Sequence, residues 1–501
     1  MKHRMILLWA YLALFGTLHA QEPASGAPLL APVFADHMVL QRGKPLQIYG
    51  RAGTGETVRV VFLGKTKETR ATQEGTWKVE FTAQKAGGPH VLTVSGKTGE
   101  VVLNDVMIGD VWLCSGQSNM DFPLKAAQTG PEELRKGSFN ANIRLLKYGP
   151  AVPWGDVAWD STALATVNRF GFFQGEWKTA DAASVGAFSA VGYYFGQKIA
   201  AETNVPVGLI QVAVGGSPTE SWIDRQLLAQ DGRFTGLLSN WPHSQQVMPW
   251  PRERAERNTG SKHFEAQQHP FKPGYSFAAG IAPLTSFPIA GVIWYQGESN
   301  VHDIPLHEAL FETLVKSWRQ HWGHVLPFYY AQLSGIERPN WPEFRDSQRQ
   351  MLARIPHAGM AVSYDVGDSL DVHPVRKQEV GERLALLALQ GHYHKRIVAS
   401  GPVVQKATLR DGAIWLDFQS AQKLTTASNA ALTGFELMTR SGKRLPAQAV
   451  IEGGRVRIAV PTGELVERVL YAYQPFTRAN LQNEAGLPAS TFSILVNYFF
   501  K

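Results

Sequence analysis

Five short, nearly continuous apolar runs are spaced through the middle of the chain, at 107–114, 205–214, 289–295, 326–333 and 358–364. Runs of this length without polar alternation suit strands buried on both faces, the situation of a parallel sheet covered by helices. Helical segments lie between or after them, at 191–203, 306–322, 342–354 and 374–390. Strand and helix alternate, so the middle of the chain is expected to be an α/β layer structure. The flanks read differently. From 25 to 105, period-two runs at 58–62, 77–81 and 90–94 are separated by Gly64, Gly75 and Gly87-Gly88, the texture of a β-sandwich. A similar texture returns at 414–418, 434–437, 455–460 and 468–473. The expected organisation is an N-terminal β-sandwich over 21–105, an α/β core over 106–395, and a β-rich region over 396–501 packed on that core.

The first residues read as an export leader over 1–20. Lys2 and Arg4 precede an apolar run at 5–18, and His19-Ala20 is followed by a polar stretch, so cleavage is expected after Ala20. The run is shorter than the ~20 residues of a spanning helix, so no membrane anchor is expected after cleavage and the product is periplasmic or secreted. Cys114 is the one cysteine, so no intrachain disulfide can form in that oxidising setting, and stability rests on core burial. The formal net charge is +7, but Lys and Arg are scattered with no basic run, so a nucleic-acid partner is not expected.

In an open α/β sheet the reactive groups gather at the carboxyl ends of the strands. The runs are followed there by Ser115-Gly116-Gln117-Ser118-Asn119, by Gly215-Gly216-Ser217, by Gln296-Gly297-Glu298-Ser299-Asn300, and by a loop holding Asp365, Asp368, Asp371 and His373. A serine hydroxyl becomes a useful nucleophile when a histidine takes its proton and a carboxylate orients that histidine. Asp371 and His373 are i and i+2, and in an extended loop such residues share a side. Ser118 is the better nucleophile candidate, because Gly116 relieves crowding in the turn and Asn119 follows. Met120 occupies the last glycine position of a Gly-x-Ser-x-Gly elbow, so that motif does not apply. The N–H groups of Ser118 and Gly216, with an amide from Gln296 or Asn300, can form an oxyanion hole. Each part also has a plainer reading: Ser118 as a helix cap, Gly215-Gly216 as a turn, and the three aspartates as a solvated loop or cation site. A metal-dependent hydrolase gains no support, since His321/His324 and His392/His394 lie away from the strand ends. No metal or cofactor is expected.

Together, the run Trp112–Leu124 containing Ser115-Gly116-Gln117-Ser118-Asn119-Met120, Gly215-Gly216-Ser217, Gly291–Asn300 and Asp371-Val372-His373-Pro374 resemble the sialate O-acetylesterase family of SGNH-type hydrolases. The likeness extends to 33–42 near the N-terminus and 480–490 near the C-terminus. It implies a flavodoxin-like, three-layer SGNH core with a parallel sheet over 106–395. It also implies removal of acetyl groups from sugar hydroxyls through an acetyl-serine, without cofactor, on an O-acetylated sugar or glycan. By the resemblance, Ser118 is the nucleophile, His373 the base and then acid, and Asp371 its orienting acid. Gly216 and Gln296 donate to the oxyanion beside Ser118, while Asn119, Glu298 and Asn300 support the site without reacting. O-acetylated sialic acid is the leading substrate; acetylated xylan or xyloglucan is the alternative, and a non-catalytic carbohydrate-binding protein is the alternative of another class. Asp121 stands where family members commonly have Glu. The polar 239–272 segment, with Trp241, Trp250, His263 and His269, is read as a solvated surface loop, the alternative being a wall of the sugar pocket.

Overall fold

The computed structural model describes residues 29–260, 264 and 266–498, so the expected leader lies outside the described residues. Seven strands carry the core: β1 (Gly99–Gly116), β2 (Ile143–Pro150), β3 (Trp177–Thr179), β4 (Val207–Ala213), β5 (Gly291–Tyr295), β6 (Phe328–Ala331) and β7 (Ala358–Ala361). Their order is β3-β2-β4-β1-β5-β6-β7, and all neighbours are parallel except β3 against β2. Without β2 and β3, the remaining five follow the flavodoxin-like order 2-1-3-4-5, with a switch point beside β1. Successive side chains of β1 point to opposite faces, and both faces are buried. Val111 and Leu113 join one apolar cluster, while Trp112 and Cys114 join the other. Helices α2 (Ala190–Thr203) and α6 (Gln378–Gly391) supply Phe195, Ile199, Leu384 and Ala388 to the second cluster. Helix α4 (Ile304–Trp322) supplies Leu310, Leu314 and Trp318 to the first.

Strand β2 was absent from the sequence expectation because Arg144 and Lys147 interrupt its apolar run. Both charges find partners from elsewhere in the chain. Buried Arg144 reaches Asp105 at 3.0 Å, and Lys147 donates to Ala187 O at 2.9 Å. The last helix also begins at Gln378, later than the expected 374, because Pro374 lies in the loop that carries His373.

The N-terminal strands show the expected alternation, with Val58, Val60 and Phe62 buried between exposed neighbours. Thr57–Phe62 pairs with Lys65–Arg70 and Gly87–Gly96, while Leu46–Arg51 pairs with Thr76–Phe81 in a separate ribbon. Strand β1 runs from this region into the core without interruption. The expected boundary after residue 105 thus falls within one strand, at Asp105, whose φ of 52° bends it. Asp110 receives both Nε and a terminal nitrogen of Arg42, at 2.9 and 2.8 Å, fastening the N-terminal segment to the core.

Beyond α6 the chain forms an eight-stranded sheet that includes Val403–Arg410, Ala413–Gln419, Val466–Tyr471 and Phe492–Tyr498. Arg345, on helix α5 (Trp341–Arg354), ties it to the core. Its buried guanidinium donates to Thr491 Oγ1 and to the carbonyls of Ala472, Gln474 and Pro475 at 2.6–3.0 Å. Burying a guanidinium costs several kcal/mol unless its protons are met, and these acceptors meet them.

Candidate active site

The nucleophile candidate follows directly from the end of β1. Gly116 has φ of 138°, and a Cβ there would fall 2.1 Å from Tyr295 O, so the turn closes against β5 only with glycine. Ser118 then opens helix α1 (Ser118–Asp121), whose cap residue is Gln117. Ser118 is therefore not the cap. Its Oγ lies 2.8 Å from Nε2 of His373, 255 residues further on. In the neutral imidazole with its proton on Nδ1, the hydroxyl donates to Nε2, the arrangement needed for proton removal.

Asp371 occupies a looser position. Its Oδ1 accepts the backbone N–H of His373 at 2.8 Å and stands 3.7 Å from Nδ1, an ion-pair distance rather than a hydrogen bond. The other acids of this loop have separate tasks. Asp365 forms a two-point pair with Arg383 at 2.7 Å, and Asp368 Oδ1 accepts the N–H groups of Leu370 and Asp371.

Below the Ser118–His373 pair lies a buried polar network. Asn119 Nδ2 donates to Glu298 Oε1 at 2.5 Å and to Val372 O at 2.9 Å, gripping the residue before His373. Asn119 Oδ1 accepts from Lys377 Nζ. Lys377 is 1% exposed, and its ammonium lies 4.7 Å from the centre of the Phe122 ring and 5.7 Å from that of Tyr295. Burial pushes the Lys377 amine down to about 7, against the favourable fields of Glu298 and Asp371. Burial likewise raises the Glu298 carboxyl. The His373 imidazole is held below its ordinary value, first by desolvation and then by the Lys377 charge, with Asp371 opposing. Lys377 was missed because a single lysine near a helix start reads as a solvated side chain. No sequence pattern near it signals burial.

Gly215 borders Ser118: a Cβ there would lie 3.6 Å from Ser118 Cβ. Gly216 has φ of 81°, and Ser299 Oγ donates to its carbonyl at 3.0 Å. Gln296 and Asn300 belong to one cluster. Asn300 Oδ1 accepts from Thr219 N and Gln296 Nε2, and its Nδ2 donates to Glu220, whose carboxyl burial pushes up to about 7. Both polar ends of Asn300 are thus engaged. Gln296 Nε2 makes a 2.7 Å bond to Asn300 and a longer one, 3.3 Å, to Ser217 O. Asp121 braces the sheet below, accepting from Gln211 Nε2 at 2.7 Å with Lys147 at 3.3 Å.

The 239–272 segment departs from its expected solvated loop. It contains helix α3 (Pro249–Thr259), and Trp241 and His269 are buried; His263 lies outside the described residues. The cause is aromatic packing. His269 stacks on Trp159 at 5.1 Å and meets Phe271 edge-on at 4.7 Å, and desolvation pushes its imidazole well down, so it is accommodated neutral.

A family model described as "Carbohydrate esterase, sialic acid-specific acetylesterase" matches residues 108–246 and 267–390. Sialate O-acetylesterases of Homo sapiens and Pongo abelii are each 28% identical to the chain over 417 residues, covering 74% of it and 72% of theirs. The crystal structure of XAC1771, a carbohydrate acetylesterase from Xanthomonas citri, aligns with a TM-score of 0.78 and 32% identity over 93% of this chain and 99% of that one. The first matched block holds Ser118 and Gly216, and the second holds Gln296, Asp371 and His373. The chain is an ester hydrolase and belongs to the carbohydrate esterase, sialic acid-specific acetylesterase family.

Proposed function

We propose that this protein is an exported sialate O-acetylesterase with an SGNH-type core, acting through an acetyl-serine. The observation that carries the mechanism is the 2.8 Å contact between Ser118 Oγ and His373 Nε2 at the carboxyl edge of the sheet. Ser118 Oγ adds to the acetyl carbonyl carbon while its proton passes to His373 Nε2. The oxyanion is met by the N–H groups of Ser118 and Gly216 and by Gln296 Nε2, which exchanges its long contact with Ser217 O for the charged oxygen. The C–O bond to the sugar then breaks, and His373 returns the proton to the departing hydroxyl. Water, deprotonated by His373, then adds to the acetyl carbon; the bond to Ser118 Oγ breaks, His373 returns the proton to that oxygen, and acetate leaves. Asp371 steadies the imidazolium electrostatically across 3.7 Å. Export is supported by the charged and apolar leader over 1–20.

The sialate assignment draws on the family and its relatives, and on a cation at the rim. Arg338 is exposed, and its charge is felt at the His373 ring. Its loop is tied to the catalytic loop by a 3.1 Å bond from Glu337 N to Ser369 O. The Arg338 guanidinium lies 5.9 Å from the centre of the Trp341 ring, and among the described residues no carboxylate pairs with it, so it can meet the carboxylate of an anionic sugar.

Acetate release from a 9-O-acetylated sialoside, acetyl-xylan and acetyl-xyloglucan tests this reading. The sialoside is expected to have the highest kcat/KM. Arg338→Met is expected to cut its advantage over acetyl-xylan by roughly tenfold, the size of one charge-assisted hydrogen bond. A preference for either plant glycan that Arg338→Met leaves in place contradicts the sialate assignment.

A further inference from the structure

Trp250 lies in the first turn of α3 and is 40% exposed, the one tryptophan among the exposed large apolar side chains of the described residues. Its position is tightly fixed. A Cβ on Gly216 would fall 2.1 Å from Cζ3 and 2.4 Å from Cη2 of the indole, so the tip of the ring rests against the Gly216 backbone. The preceding residue, Gly215, borders Ser118 itself. The Arg254 guanidinium, one turn along α3, lies 5.2 Å from the centre of the indole, and Phe271 is tilted against it at 5.9 Å. Arg254 is in turn drawn toward Asp156, 3.8 Å away.

The indole is therefore a rigid aromatic surface, held from several sides and open on the rest, immediately beside the backbone assigned to the oxyanion. An aromatic that served only packing would be covered like Trp241, which is 3% exposed in the same segment. A pyranose has an apolar face of C–H groups and a rim of hydroxyls. It can lay that face on an indole and keep its hydroxyls in water, gaining apolar burial without stripping polar groups. Because the ring is already fixed, little side-chain entropy is lost when the sugar arrives.

We propose that Trp250 is the stacking floor of the sugar subsite: the pyranose bearing the acetyl ester lies against the indole while its ester carbonyl reaches Ser118. The assignment rests on the esterase reading above and adds to it the residue that recognises the sugar ring rather than the acetyl group.

The test compares two esters on the full chain. One is 9-O-acetyl-N-acetylneuraminic acid, and the other is ethyl acetate, which has the same acyl group and no ring. The readout is selectivity, the ratio of kcat/KM for the sugar to that for ethyl acetate, measured for wild type, Trp250→Ala and Trp250→Phe. Trp250→Ala is expected to lower this ratio about tenfold, the scale of an aromatic stacking contact plus lost apolar area. Trp250→Phe, which keeps an aromatic face and guards against simple misfolding, is expected to recover most of it. Equal loss on both esters, or no loss on either, leaves the ratio unchanged and overturns the proposal, since a purely structural Trp250 acts through Gly216 on any ester. Failure of the esterase reading looks different: wild type would release acetate from neither ester, and the subsite would fall with it.

Discussion

Ser118→Ala is expected to lower kcat/KM for acetyl ester hydrolysis on the order of 10⁴-fold or more, with little change in thermal stability. The loss is expected to be large because, among the described residues, no other hydroxyl lies within hydrogen-bond distance of His373 Nε2. The neighbouring Ser115 and Ser217 are buried and spend their hydroxyls on Val212 O and Val214 O. Stability is spared because Ser118 Oγ is not a helix cap, so the alanine removes no bond that holds α1 to the sheet. Acetate release and a melting curve on the same preparation check both halves. A variant that melts early and loses activity in proportion points instead to Ser118 as a structural residue.

His373→Ala is expected to have the second largest effect, on the order of 10³-fold or more in kcat/KM, because in the proposed mechanism one ring performs both proton transfers. The wild-type pH profile carries further information. The base must be neutral to accept a proton, and its pKa is pushed down by desolvation and by Lys377. The acid limb of kcat/KM is therefore expected below the ordinary histidine range, with activity persisting as pH falls toward it. The Lys377 charge is one cause of that lowering, even as burial pushes its own amine down to about 7. Lys377→Met is expected to move the limb to higher pH. A limb that stays in place would separate Lys377 from the base, leaving it only the packing role.

How much of this was legible in the sequence follows from what each residue's neighbours must do. The runs that became β1, β4, β5, β6 and β7 announced themselves because strands buried on two faces have no room for polar side chains, and the residues after them had to share an edge. Ser118 and His373 were found that way. Strand β2 was hidden by Arg144 and Lys147, whose acceptors come from Asp105 and Ala187, both distant in sequence. Lys377 was hidden in the sequence, whereas Trp250 stood there within a segment whose alternative reading was a wall of the sugar pocket. A lysine is ordinarily solvated, and only the convergence of Asn119, Phe122 and Tyr295 makes a buried site for this one. Trp250 sits in a polar stretch that looks like loop, and its meaning comes from contact with Gly216. Gln296 and Asn300 look equivalent in the sequence because both follow the same strand, and in the structure the side-chain amide of each is engaged at both its oxygen and its nitrogen.

The central claim is that the acetyl group passes through Ser118. Mixing the enzyme with excess acetyl ester, quenching in acid within the first turnovers and mapping the digested protein by mass spectrometry tests it most directly. The account predicts one acetyl group on the peptide containing Ser118, absent after Ser118→Ala and removed when turnover is allowed to finish. Acetyl found on a different residue during turnover, or sustained turnover by Ser118→Ala, would contradict it.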